Sequence, residues 1–433
     1  MTTPGRIRFT APEALCFVGL NWIALATAVG VLTSKVDAAE TGFRYRLIGF
    51  IALVVAGVIG LTGRGGRRID GVVTRLALVY LAWGLVMAFI GLRTNPEPNF
   101  YVFGLVPYLL VVLLFVAPSQ YFWERLAASI ATQTVAGAMV LWILVRERGG
   151  MLAGRQIINS ETSIALDMLY AWPLLLLTWS AGGLYRRIAA LVGFCAMAAF
   201  SVASFTRSYA LTCGLVLAFV PWSLGRSSKS RMRASIIGVF AIVVVVFLWA
   251  RGVSSEQRDL FADAWDHLVA RTELVWKDDD YFSEREERLQ EVFVLSRAFE
   301  PVDWVVGQGI GASWSDSRLY GGTRRYFVHI GYVALVFNGG IVSLSLFLGI
   351  FGRALWLGLQ ARRAAVWVIP CVAVLVERFI RMLHYASPEP TIEYSLFLLC
   401  ASYLATFRPQ RLRAGEGLRM RVIETQAVRP SGA

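Results

Sequence analysis

The most regular feature of the chain is a succession of apolar runs separated by short polar breaks. Runs near residues 14 to 33, 46 to 62, 72 to 92, 100 to 117, 122 to 145 and 164 to 184 form a first set. A second set lies near 187 to 205, 208 to 224, 234 to 250, 327 to 352, 364 to 381 and 391 to 407. Their lengths approach the roughly 20 residues that an α-helix needs to cross a hydrocarbon core. The runs lack the period-two alternation of barrel strands, and lipid offers no partner to an open backbone edge, so helices are the economical reading. The pattern predicts an all-α, polytopic membrane protein of about 12 transmembrane helices. Residues 1–250 carry helices one to nine, 251–326 form a large external loop that itself contains helices, 327–407 carry helices ten to twelve, and 408–433 make a basic tail.

Composition supports this reading. Of 433 residues 57% are hydrophobic and 16% charged, with a mean hydropathy of +0.59, more apolar surface than a soluble fold of this size hides. Cys16, Cys195, Cys213, Cys371 and Cys400 all fall inside apolar runs, which suits packing and not a disulfide framework. The net charge of +13 is scattered over the ends of the runs, without a stripe of interleaved aromatics, and points to lipid headgroups and membrane orientation before nucleic acid.

Short-loop arginines set the orientation. With a cytoplasmic N-terminus and a retained first helix, the inner loops receive Arg64, Arg67 and Arg68, then Arg125, then Arg186 and Arg187, then Arg226 to Arg233, then Arg353, Arg362 and Arg363. The tail adds Arg408, Arg411 and Arg413, so both termini are expected in the cytoplasm. Residues 251–326 then lie outside. Within them Ser283 and Glu286 have capping-box spacing, and the helix that follows aligns Arg285, Arg288, Val292, Leu295 and Phe299 on one stripe. Arginines at a helix start oppose the macrodipole, so Arg285 and Arg288 stand where electrostatics alone would not put them.

Several positions carry candidate chemistry. Arg207, in the tight external turn SFTRSYAL, either snorkels to headgroups or binds an anion. Gly307, Gly309 and Gly311 alternate in VVGQGIGASW, outside any strand–helix context for a dinucleotide, and predict a flexible or tightly turned external loop. In VERFIRMLHYASPEP, Glu377 and Arg381 have the spacing to pair, which leaves Arg378 as a spare cation. Asp278, Asp279 and Asp280 lack further ligands at metal-binding spacing and read as a solvated helix lead-in. Asp167 is an ionisable group near membrane depth. His329, in RRYFVHIGYVALVFNGG, opens the helix that closes the external loop, beside Arg324 and Arg325. Neighbouring cations favour its neutral form, so it either packs as a structural residue or serves as a general base.

In order and placement these features resemble the bacterial O-antigen ligase and polysaccharide polymerase superfamily of membrane glycosyltransferases. The resemblance covers most of the chain in architecture and is carried in residues by TRSYAL, by REERLQEVF running into EPVDWVVGQGIG, and by VHIGYVALVFNGGIVSLSLFLGIF. Ile330 stands where family members often have Asn after the histidine. The resemblance implies catalytic roles for Arg207, for Arg288 with Arg285 as the alternative, and for His329. It implies an undecaprenyl-diphosphate-linked oligosaccharide as donor, a glycan repeat or lipid A core as acceptor, and a bacterial inner-membrane location with a periplasmic loop. Arg285, Arg324, Arg325, Arg378 and Arg381 are the candidates for binding the diphosphate, since guanidinium groups give permanent, bidentate charge without a metal or other cofactor. The polymerase branch is preferred to the ligase. A lipid-linked glycan transporter is the reading from another class; it calls for ionisable groups facing a central cavity and for broken helices.

Overall fold

In the computed structural model the described residues are 9–33, 38–63, 69–93, 98–147, 169–203, 207–223, 291–292, 294–314, 328, 330–362, 364–383 and 391–407. They form helices α1 (Ala11–Thr33), α2 (Ala38–Thr62), α3 (Gly71–Arg93), α4 (Pro98–Leu110), α5 (Gln120–Glu147) and α6 (Trp172–Leu177). Then come α7 (Leu184–Ala203), α8 (Arg207–Ser223), the short α9 (Pro301–Val306), α10 (Gly331–Gln360), α11 (Val368–Arg381) and α12 (Ile392–Leu404). No strand occurs among the described residues, and five helices, within α2, α3, α5, α7 and α10, are long and apolar enough to cross a membrane. The expected all-α membrane architecture is therefore present at this level. The ninth apolar run, 234 to 250, lies outside the described residues.

Local chemistry explains where helices end or change. α4 accommodates Pro107 within its last turn and then tightens into a 3-10 turn over Val111–Phe115. The sixth run was expected to be one helix over 164 to 184; its described part is instead α6 and a separate 3-10 turn, Trp179–Ala181. Between the two pieces the Thr178 hydroxyl donates back to the Leu174 carbonyl at 2.7 Å, competing with the helical ladder. Where α1 crosses α2, Gly19 and Gly49 let the backbones meet: a Cβ on Gly19 would come within 2.9 Å of the Gly49 carbonyl oxygen.

A main core joins α1–α5 to α10–α12 through residues such as Leu53, Tyr80, Trp123, Phe351 and Phe397. A second cluster, with Trp172, Phe194 and Val216, holds α5 to α8 together. α3 and α10 pack antiparallel, with Asp70 next to Arg353 and Trp83 next to Gly339. Asp70 caps α3 by accepting from the Val72 and Val73 amides, grips Arg353 at 3.2 and 3.0 Å, and donates its own amide to the Ala405 carbonyl beyond α12. Burial pushes the Asp70 carboxyl up, but the Arg353 hydrogen bond and charge and the two amides outweigh it and hold the group below the usual carboxylate value.

α10 is not the ordinary helix that its apolar pattern predicts. It breaks at Gly339 (φ −142°, ψ 20°) and Gly340 (φ 66°, ψ −173°). The released carbonyls are taken up by a glycine loop: Gln308 N donates to Phe337 O at 2.8 Å and Gly309 N to Asn338 O at 3.1 Å, while Trp83 Nε1 donates to Gly339 O at 2.8 Å. Gly307, Gly309 and Gly311 all have positive φ, so the loop is tightly turned as expected, yet it is buried against α3 and α10. Leu295, Trp314, Val328 and Phe337 form a small apolar cluster, and Phe299 packs against it.

Candidate functional site

Opposite the Asp70 end of the bundle, the last turn of α11 meets the first turn of α12. Helix dipoles favour cations at the first and an acid at the second, and the sequence supplies Arg378 and Arg381 on α11 and Glu393 on α12. Thr391 caps α12, its hydroxyl accepting from the Tyr394 amide at 3.1 Å, which fixes the turn that presents Glu393. Both guanidinium groups converge on one oxygen: Arg378 Nη1 donates to Glu393 Oε1 at 2.8 Å and Arg381 Nη1 to the same atom at 2.7 Å.

Glu377 completes the group. Its Oε1 accepts from the Thr212 hydroxyl of α8 at 2.7 Å and from Arg381 Nη1 at 3.5 Å. The Arg381 guanidinium lies 4.5 Å from the centre of the Tyr170 ring, and that of Arg378 lies 5.9 Å from the centre of the Tyr394 ring. Side-chain exposures of 4% for Arg378, 7% for Arg381 and 11% for Glu393 leave little room for bulk water, so the two guanidinium groups must be satisfied by Glu393 and by the other polar groups packed here. A cavity of about 20 Å³, enough for a single water, opens beside them and is lined by Tyr170, Thr212, Glu377, Arg378 and Glu393 among others. Tyr170 Oη, Tyr394 Oη and Arg381 Nε find no hydrogen-bond partner among the described residues.

The Glu377–Arg381 pair expected from the sequence exists, but at 3.5 Å it is the longest of the cluster's three ion pairs. Arg378 was expected to be left as a spare cation; Glu393 overturns that, because it lies 2.8 Å from Arg378 across the helix boundary. Sequence reasoning missed Glu393, Thr212 and Tyr170. An acid in the first turn of an otherwise apolar run, two residues after a capping threonine, is the signal that marks Glu393.

Two hydrogen bonds draw further elements to this end. Thr212 ties the first part of α8, the helix that begins at Arg207, to α11. Tyr332, in the first turn of α10, donates through its hydroxyl to the Phe379 carbonyl at 2.9 Å. The starts of α8 and α10 therefore lie at the same end as the four charges. The Arg207 side chain is not described, and His329, Arg285, Arg288, Arg324, Arg325, Asp167 and the Asp278–Asp280 triplet lie outside the described residues. Among the described residues no group of His, Cys, Asp or Glu is arranged to hold a metal ion. Compared with known proteins, the chain matches no family model, and no curated protein matches it in sequence.

Proposed function

We propose that the protein is a glycosyltransferase of the bacterial inner membrane, with about 12 spans, both termini in the cytoplasm and residues 251–326 in the periplasm, that extends glycans carried on undecaprenyl diphosphate. The observation that carries this reading is the convergence at one end of the bundle of the α8 start, the α10 start and the buried Arg378–Arg381 pair. In the sequence those two starts adjoin Arg207 and His329.

The chemistry asks for two things. A lipid diphosphate at the membrane surface needs fixed positive charge as it departs, and arginines supply it in bidentate form. The acceptor hydroxyl needs a base. In the proposed step His329 takes the proton of the acceptor hydroxyl as its oxygen bonds to the anomeric carbon. The bond from that carbon to the diphosphate oxygen breaks, and undecaprenyl diphosphate leaves with the electron pair. Arg207 and Arg288, or Arg285 in its place, hold the diphosphate oxygens, with Arg324 and Arg325 nearby in sequence. Arg378 and Arg381 reach a diphosphate only by sharing it with Glu393.

Purified protein in liposomes, incubated with an undecaprenyl-diphosphate oligosaccharide, is expected to give a ladder of products. A single transfer to added lipid A core identifies the ligase branch. His329→Ala and Arg207→Ala are expected to abolish extension while the protein still inserts; full activity of both sinks the site assignment. A transporter of lipid-linked glycans remains the second reading because α10 is broken within its apolar length and a charged group is buried beside a cavity. It predicts movement of the intact lipid-linked glycan between leaflets and no new glycosidic bond.

A further inference from the structure

α3 provides a ruler for depth. Its 23 residues run from the Asp70 cap to the exposed Arg93, a span of about 35 Å at 1.5 Å per residue, bounded by charge at each end. A hydrocarbon core of about 30 Å fits between the two, with the exposed Arg75, little more than one turn inside, snorkelling back toward the Asp70 face. Three contacts read the height of the 301–311 segment against this ruler. Ile310 N donates to Met87 O, and a Cβ on Gly309 would strike the Gly91 amide, so these residues lie about 26 to 31 Å above Asp70. Gly339, bonded to Trp83, lies only about 20 Å above it.

Val305 shares that lower level, since a Cβ on Gly340 would come within 1.9 Å of the Val305 carbonyl oxygen. α10 gives the same answer independently: from Arg353, paired with Asp70, to Gly340 is about 20 Å of helix. Tilt of α3 shortens all of these heights, and the distance below Arg93, in the same proportion. Val305 is therefore about 15 Å below the level of Arg93, well inside an apolar layer.

The side chains agree with that depth. α9 buries none of its residues, and Val302, Trp304 and Val305 are 57%, 44% and 49% exposed. Glu300 and Asp303 form a reciprocal capping box at its start, the Glu300 amide donating to Asp303 Oδ2 at 2.9 Å. Trp304 packs on Phe299, which stacks on Phe337, two residues before the break in α10, so this aromatic group lies near the depth of Val305.

From this geometry we propose that residues 301–310 re-enter the bilayer, and that Val302, Trp304 and Val305 face the acyl chains of the leaflet farther from Asp70. The segment is then held in the membrane against α3 and α10. The proposal rests on α3 crossing the bilayer and is independent of the chemistry proposed above.

Nitroxide labels at Leu85→Cys, Val302→Cys and Val305→Cys, each at an exposed position, test it in liposomes by collision with oxygen against a water-soluble nickel chelate. Oxygen collisions several-fold above nickel collisions are expected at all three. Nickel dominating at Val302→Cys and Val305→Cys, with oxygen dominating at Leu85→Cys, overturns the re-entrant segment alone. Nickel dominating at Leu85→Cys overturns the membrane span on which it rests.

Discussion

At one end of the bundle a single carboxylate, Asp70, is held by two backbone amides and the two prongs of Arg353. At the other, Glu377, Arg378, Arg381 and Glu393 neutralise one another between helices, with polar atoms of Tyr170 and Tyr394 left without partners among the described residues. The first arrangement satisfies its charge mainly through local backbone and keeps Arg353 27% exposed. The second depends on three helices keeping register. A staple of the first kind ties the start of α3 to α10. A cluster of the second kind is costly to keep, and the Tyr170 hydroxyl beside its cavity has no partner among the described residues.

The largest effect is expected at the four-charge end. Glu393→Ala leaves two guanidinium groups against one distant carboxylate, and breaking a buried pair of this kind costs about 3 to 5 kcal/mol, read as a fall in unfolding midpoint in detergent. Glu393→Gln sharpens the point, because it keeps an acceptor oxygen and removes only the charge. Next comes Gly340→Ala. Its φ of +66° and a Cβ 1.9 Å from the Val305 carbonyl oxygen predict a loss of about 2 to 3 kcal/mol, checked by thermal unfolding.

At the Asp70 end the expected loss is smaller. Asp70→Asn keeps the cap oxygen and loses only the charged part of a contact partly open to solvent, for about 1 kcal/mol. A loss as large as that of Glu393→Ala would erase the contrast between the ends. The smallest effect is one of pH. The folded-state value of Asp70 is lowered from 3.8, so its stabilisation is fully present above pH 3.8 and disappears as pH falls through the folded value. Melting curves of the wild type and Asp70→Asn should separate at neutral pH and converge in that acidic window.

The sequence made the helices legible where lipid imposes a length. The run read at 72 to 92 is α3, Gly71–Arg93, and the run at 364 to 381 ends with α11 at Arg381. Breaks were less visible. The glycines of GQGIG announce turns, but their docking on Gly91 and on the split of α10 depends on which helices are neighbours, and no local pattern carries that information. The same holds for the site: Arg378 and Arg381 stood out as charges at a helix end, whereas Glu393 became their partner only through the register of α12 against α11. His329 and the loop arginines Arg285 and Arg288 lie outside the described residues, so their roles rest on the sequence and on the experiments above.

The split in α10 has a consequence for how the chain is made. A helix that exposes the carbonyls of Phe337, Asn338 and Gly339 enters the bilayer with three acceptors to satisfy, and their donors are Gln308, Gly309 and Trp83. All three donors are synthesised before α10, two of them in the segment that immediately precedes it. Because membrane chains are built from the N-terminus onward, the break is closed by partners already waiting as it emerges. Substitutions in the glycine loop should therefore appear first as failed insertion and lost abundance, ahead of any defect in a protein that has reached its final form.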